Sequence, residues 1–151
     1  MSQHRNRPSE TRSGLSSQER SQLEAIIARG DAAQLVDWAD ALGKTLVQKN
    51  LTTSQIRNIF GAVRQVRMTW DQNPEGAYRQ AVLLMPKLGY YAKRERGRGK
   101  QGLVELERVL VPALELVAKA PEKERKQRFK HFVDFFEAIL AYHKKYGGRD
   151  K

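Results

Sequence analysis

A basic, glycine-rich segment carries the side chains with the clearest chemistry in this sequence. It reads LGYYAKRERGRGKQGLVELE over residues 88–107. Long cationic side chains neutralise phosphates, and glycine lets the backbone approach a partner closely. The segment is therefore predicted to bind a polyanion through backbone phosphates, which carry no sequence information. Its cations are Lys93, Arg94, Arg96, Arg98 and Lys100, interspersed with glycines at 97, 99 and 102.

Two adjacent tyrosines in this segment, Tyr90 and Tyr91, admit two interpretations. Their rings offer surfaces on which bases could stack. Next to Leu88 on a predicted helix, however, a tyrosine is more often part of the core. We treat Tyr91 as a candidate binding residue and leave the alternative open.

A second basic stretch, LTTSQIRNIFGAVRQVRMTW at residues 51–70, contains no carboxylate. Arg57 and Arg64 are seven residues apart and so lie nearly above one another on a helix, with Arg67 close to the same edge. Residues 49–70 carry four basic and no acidic side chains, residues 86–101 carry six and one, and residues 15–48 carry three and five. The two basic stretches hold most of the net charge of +11, which predicts an anionic partner.

Arrangements suited to catalysis or metal binding are scarce. The sequence has no cysteine, which excludes a thiolate nucleophile and disulfide bonds. His131 and His143 have no metal-ligating residue at the i+4 spacing, and His143 falls on an apolar stripe where a packed histidine is typical. No GxxxxGK[ST] loop is present. We therefore expect no enzymatic activity, no metal site and no cofactor.

The distribution of apolar residues bears on localisation. There is no run of about 18 apolar residues, and the start MSQHRNRPSETRSG lacks the apolar region of a signal peptide. Neither membrane insertion nor secretion is expected. Because the chain also lacks cysteine, we predict a cytoplasmic location.

Helix signals cover most of the chain. Ser16 and Glu19 are spaced as a capping box for a first helix over about 17–29, and Asp31 can cap a second helix. Thr52 and Gln55 form another capping box, at the start of the third helix. A fourth helix continues until Pro86, where a kink or a fresh helix start is expected, a fifth is bent at Pro112, and the last covers about 122–146.

These signals predict an all-α fold, a compact bundle of five to six helices, because no stretch alternates as a strand. The predicted organisation is a disordered basic arm at 1–14, a helical bundle domain at 15–146 and a flexible tail at 147–151.

Two motifs resemble a known family. LTTSQIRNIFGAVRQV, followed by LLMPKLGYYAKRERG and LVELERVLVPALE, is similar to the small α-helical subunit of the type III-A CRISPR–Cas effector, the Csm interference complex. The telling parts are TSQIR at residues 53–57 and LMPKLGY at residues 84–90. The resemblance spans about residues 15–146.

The resemblance implies a non-catalytic RNA-binding subunit. Members stack in several copies along a filament, with other Csm subunits that grip the guide CRISPR RNA, and help to hold target RNA paired to the guide. RNA cleavage belongs to the neighbouring backbone subunit. The RNA-facing residues carried over by position are Gln55, Arg57, Arg64, Lys87, Tyr91, Lys93 and Arg94, whereas Arg67, Arg96, Arg98 and Lys100 are candidates on charge alone.

The residues alone are also compatible with other classes of protein. A helical adaptor could present the same basic face to an acidic protein. A DNA-binding regulator would use a helix-turn-helix, for which the second and third helices are joined by QKNLTT. A small nuclease would need an acid–base or metal cluster. The sequence also leaves open the copy number and whether the free chain is a monomer or a helix-exchanged dimer.

Overall fold

Six helices account for most of residues 14–150, the part of the chain that the computed structural model describes, and no strand occurs in that range. The all-α prediction is confirmed, with six helices in the bundle. The predicted arm, apart from Gly14, lies outside the described residues. The helices are α1 (Ser17–Ile27), α2 (Ala32–Gln48), α3 (Thr53–Gln72), α4 (Pro74–Arg94), α5 (Lys100–Ala118) and α6 (Glu122–Lys145).

Side chains at the helix starts explain where the first four helices begin. Both predicted capping boxes form: the Ser16 hydroxyl accepts from the Glu19 N–H, and the Thr52 hydroxyl accepts from the Gln55 N–H. In each box the side chain of the third residue accepts from the N–H of the cap, which satisfies a second free donor. Asp31 and Asn73 cap α2 and α4, because their side chains accept from the backbone N–H of Gln34 and of Gly76 respectively.

Helix α1 ends at Ile27, slightly before the predicted end at residue 29. The turn that follows includes Gly30, whose φ of +68° lies in the left-handed region that favours glycine.

Proline does not divide either of the helices that contain it. Pro86 lies inside α4 and Pro112 inside α5, and both helices continue on either side. The expectation of a fresh helix start at Pro86 is therefore wrong. Buried residues on both sides of Pro86, such as Leu84 and Leu88, belong to the same core cluster, so tertiary packing retains a helix that loses one backbone hydrogen bond.

Helix α6 supplies the centre of the core. Phe129, Phe132, Phe135 and Phe136 are each at most 1% exposed. Phe136 meets Phe60 of α3 edge to face with ring centroids 5.1 Å apart, an arrangement that aromatic pairs favour. Burying each such side chain stabilises the fold by about 1.5–3 kcal/mol.

Helices α2 and α6 meet through a glycine. A Cβ atom added to the buried Gly43 would lie 2.7 Å from Cβ of Tyr142 and 2.8 Å from the backbone nitrogen of His143. These distances are too short for any side chain, so glycine at this position allows the two helix backbones to approach.

The C-terminal residues pack against the connection between α2 and α3. His143 is fully buried, as predicted for a packed histidine, and its Nε2 lies 2.6 Å from the carbonyl oxygen of Leu51. The Thr53 N–H donates to the carbonyl of Arg149, and the Ser54 hydroxyl donates to the carbonyl of Asp150, both at 2.6 Å. Residues 149 and 150, part of the segment for which a flexible tail is predicted, thus contact the first turn of α3.

Membrane insertion can be tested against the helices described over residues 14–150. None of them combines the length and the apolar character that crossing a bilayer requires.

Candidate nucleic-acid interface

The segment between α4 and α5 lies against the start of α3. A Cβ atom on Gly99 would lie 2.6 Å from Oε1 of Gln55 and 3.2 Å from the carbonyl oxygen of Asn50. A Cβ atom on Gly102 would lie 2.7 Å from Cβ of Leu51. The sequence suggested that these glycines let the backbone approach a partner. In the structure they allow a close approach within the chain, between residues 99–102 and the start of α3.

Local hydrogen bonds give this connecting segment, residues 95–99, a defined shape. The Glu95 carboxylate accepts from the Gly97 N–H at 2.9 Å. The Lys100 ammonium donates to the carbonyl of Ala92 at 2.9 Å and to that of Lys93 at 3.3 Å. These carbonyls belong to the last turn of α4, where a positive charge is favourable. Lys100 is half-buried, and it stabilises the end of α4 while its charge stays close to the segment.

The other predicted cations of the segment and of α4 are solvent-exposed: Lys87, Lys93, Arg94, Arg96 and Arg98. Arg98 also lines a cleft of about 260 Å³ together with Gln55, Glu95 and Arg149. This cleft places the connecting segment, the start of α3 and the C-terminal residues at one end of the bundle. Arg149 is a neighbour that sequence reasoning missed, because nothing in the local pattern of residues 147–151 places them against α3.

Tyr90 and Tyr91 occupy different environments. Tyr91 is half-buried and packs against the core, whereas Tyr90 is 59% exposed. The Arg94 guanidinium lies 5.2 Å from the centre of the Tyr90 ring and 5.8 Å from that of Tyr91, within range of a cation–π interaction. Tyr90 is therefore the tyrosine available for stacking. The sequence indicates this difference, because Tyr91 lies three residues after buried Leu88 and so on the same helix face, whereas Tyr90 lies two residues after it and on another face.

The predicted residues of α3 divide into two groups. Gln55 is half-buried, and its Oε1 accepts from the Thr52 N–H at 2.9 Å, so its amide contributes to the capping box. Arg57, Arg64 and Arg67 are exposed. Gln55 lies beside the connecting segment, whereas Arg67 lies near the opposite end of α3, in a separate cleft with α6.

Carboxylates and histidines do not converge on a metal site in the part of the chain described here. Within residues 14–150, no three residues of the kinds that ligate metals lie close enough together to hold an ion. His131 and His143 each use one ring nitrogen on a backbone carbonyl, that of Ile27 and that of Leu51 respectively.

Comparison with known proteins identifies the family. No curated protein and no solved structure matches this chain. A family model described as Csm2 Type III-A matches residues 29–149, most of the chain and all of the surface described above. The match agrees with the resemblance found in the TSQIR and LMPKLGY motifs. The chain therefore belongs to the Csm2 family of type III-A systems and is a small subunit of the Csm effector complex.

Proposed function

We propose that this Csm2 chain holds target RNA, paired to the guide RNA, by binding phosphates on the surface formed by α3, the end of α4 and residues 95–99. The observation that carries the proposal is the close approach of Gly99 to Gln55, which brings residues 95–99 against the start of α3, where the second basic stretch begins. The surface is rich in cations, since residues 49–70 contain no carboxylate and Glu95 is the one acidic residue of 86–101.

The chemistry of this surface favours the RNA backbone over the bases. The candidate contacts are Arg and Lys side chains, which pair with phosphate oxygens. Such contacts position a strand without specifying its sequence. A subunit that holds any target matched to a guide needs this property, because the guide itself supplies the sequence specificity.

Binding of labelled single-stranded RNA to the full chain, measured by fluorescence anisotropy over a range of salt concentrations, tests whether the chain binds RNA through its phosphates. Each phosphate contact on a single strand contributes about 0.7 to the slope of log affinity against log salt. With four or five contacts, the slope should be about −3, and changing the base sequence should alter affinity little. A slope near zero would contradict the proposal and favour a helical adaptor for an acidic protein.

Two further properties belong to this proposal. We infer that the subunit is non-catalytic, which is supported by the lack of a metal-ligating cluster within the described residues 14–150. We also infer that copies stack along the filament. Charge asymmetry supports this arrangement: residues 15–48, which include α1 and α2, carry five acidic and three basic side chains, opposite in sign to the balance on α3 and residues 86–101.

Tyrosine substitutions should separate stacking from packing. Tyr90→Leu should weaken RNA binding about fivefold or more, because a base stacked on an aromatic ring contributes about 1–3 kcal/mol, and should leave the melting temperature unchanged. Tyr91→Leu should lower the melting temperature by about 2–4 °C if packing against the core is worth about 1 kcal/mol. RNA affinity and thermal melting of both variants provide the measurement. Equal RNA affinity for Tyr90→Leu and the unmodified chain would remove the stacking role.

A further inference from the structure

A second basic cleft lies at the opposite end of α3 from residues 95–99. It has a volume of about 390 Å³ and lies between the last turns of α3 and the first turns of α6. Arg67, Trp70 and Asp71 line it from α3, and Lys123, Lys126 and Lys130 line it from α6. The three lysines recur at spacings of three and four, which places them on one face of α6.

Positive charge dominates this cleft. Asp71 is its one carboxylate, and Oδ1 of Asp71 lies 2.9 Å from the Lys126 ammonium. A hydrogen bond from Lys126 and its charge lower the pKa of Asp71, so this carboxylate stays ionised and compensates one of the four cations. Within residues 14–150, Arg67, Lys123 and Lys130 form no ion pair. Three cations are therefore left facing a single cleft.

The floor of the cleft is apolar and closely packed. The Trp70 and Phe129 rings lie with centroids 5.1 Å apart, and both side chains are buried, at 5% and 1% exposure. Because so little of Trp70 is exposed, it supports the cleft and offers little surface to a base. A ligand would be bound by its charge, which is the behaviour expected of a phosphodiester backbone.

Helix α3 extends from this cleft to the other basic end of the bundle. Gln55, beside residues 95–99, and Trp70, in the cleft, are fifteen residues apart, which is about 22 Å along a helix. At about 3.4 Å per stacked nucleotide, this length corresponds to six or seven nucleotides. Arg57 and Arg64 lie between the two ends and are exposed.

We propose that the cleft between α3 and α6 is a second phosphate-binding site, which holds the same RNA strand about six or seven nucleotides away from residues 95–99. This inference rests on the proposed function, since it extends the same strand along α3. It assigns a binding role to Lys123 and Lys130 of α6, which the sequence motifs did not single out.

The test measures how tightly variants altered at different sites bind a short RNA and a long RNA. Lys123→Ala/Lys130→Ala removes two exposed cations that form no ion pair within the described residues. Arg20→Ala/Lys44→Ala removes two exposed cations from α1 and α2 and serves as the control of equal charge. Affinities are measured for RNA of about 4 nucleotides, which residues 95–99 and the start of α3 can fill, and of about 12 nucleotides, which can also reach the cleft.

The unmodified chain should bind the longer RNA more tightly. The cleft variant should bind the longer RNA about 25-fold more weakly near 0.1 M salt, because each of the two lost phosphate contacts contributes about 0.7 to the slope of log affinity against log salt. Its affinity for the shorter RNA should be unchanged. The control should follow the unmodified chain with both lengths. Thermal melting of all proteins shows that the fold is retained.

Other outcomes distinguish this inference from the proposed function. Unchanged binding of the longer RNA by the cleft variant would overturn the second site, while RNA binding at residues 95–99 would stand. A loss of the same size with both lengths would also overturn it, because the cleft would not be a separate site. If Arg57→Ala/Arg64→Ala/Arg98→Ala binds both lengths normally while the cleft variant is weakened, the surface proposed above fails and the cleft remains as the binding site.

Discussion

Replacing Arg57, Arg64 and Arg98 together with alanine should weaken RNA binding about 100-fold near 0.1 M salt. Three lost phosphate contacts remove about 2 from the slope of log affinity against log salt, so the loss should shrink to about tenfold near 0.3 M. All three side chains are exposed, so the fold should be retained. Titration of labelled RNA at several salt concentrations gives both the affinity and the slope, for the free chain and for the assembled Csm complex.

A variant of equal charge isolates the effect of position from that of net charge. Arg20→Ala/Arg29→Ala/Lys44→Ala also removes three exposed cations, from α1, the turn after it and α2. It should bind RNA with nearly the affinity and slope of the unmodified chain. If the two triple variants lose the same affinity, binding depends on net charge alone and the proposed surface is wrong.

Gly43→Ala should destabilise the fold by about 2 kcal/mol or more, which lowers the melting temperature by about 4–8 °C in a chain of this length. An added Cβ would lie 2.7–2.9 Å from Cβ and the carbonyl carbon of Tyr142 and from the nitrogen of His143. Overfilling a core typically costs about 1–3 kcal/mol, and here α6 backbone atoms cannot rotate away, so the cost should reach or exceed the upper end. The gain of about 1 kcal/mol in helix propensity offsets part of it.

The same substitution in α3 should have the opposite sign. A Cβ atom on Gly61 would meet no atom within 4 Å, so Gly61→Ala should stabilise the chain by up to about 1 kcal/mol through helix propensity alone. Chemical and thermal unfolding of both variants provides the comparison. A stable Gly43→Ala variant would mean that α2 and α6 do not approach as closely as described.

Local signals in the sequence account for most of the fold. The capping boxes at Ser16 and Thr52 depend on residues only three positions apart, and both form as predicted. The apolar stripe of α3 likewise matches its buried face, which includes Ile56, Phe60 and Trp70. Such features are readable because a helix determines which neighbours meet within a few residues.

Contacts between distant segments account for what the sequence did not reveal. Gly99 packs against Gln55, and Lys126 pairs with Asp71, in each case across more than forty residues. Lys123, Lys126 and Lys130 occur in a run with charges of both signs, EKERKQRFK, which is typical of a solvated helix face. The end of α3 makes them part of a cleft, and the local pattern carries no information about that neighbour.

The hydrogen bonds at the start of α3 affect when this end of the bundle can fold during synthesis. The partners of Leu51 and Ser54 are His143 and Asp150, which lie 92 and 96 residues further along the chain. A nascent chain emerges from the ribosome with its N-terminal residues first, and contacts over such separations form late. The end of the bundle where residues 95–99 meet α3, which is part of the proposed RNA-binding surface, is therefore completed only after residues 143–150 have left the ribosome.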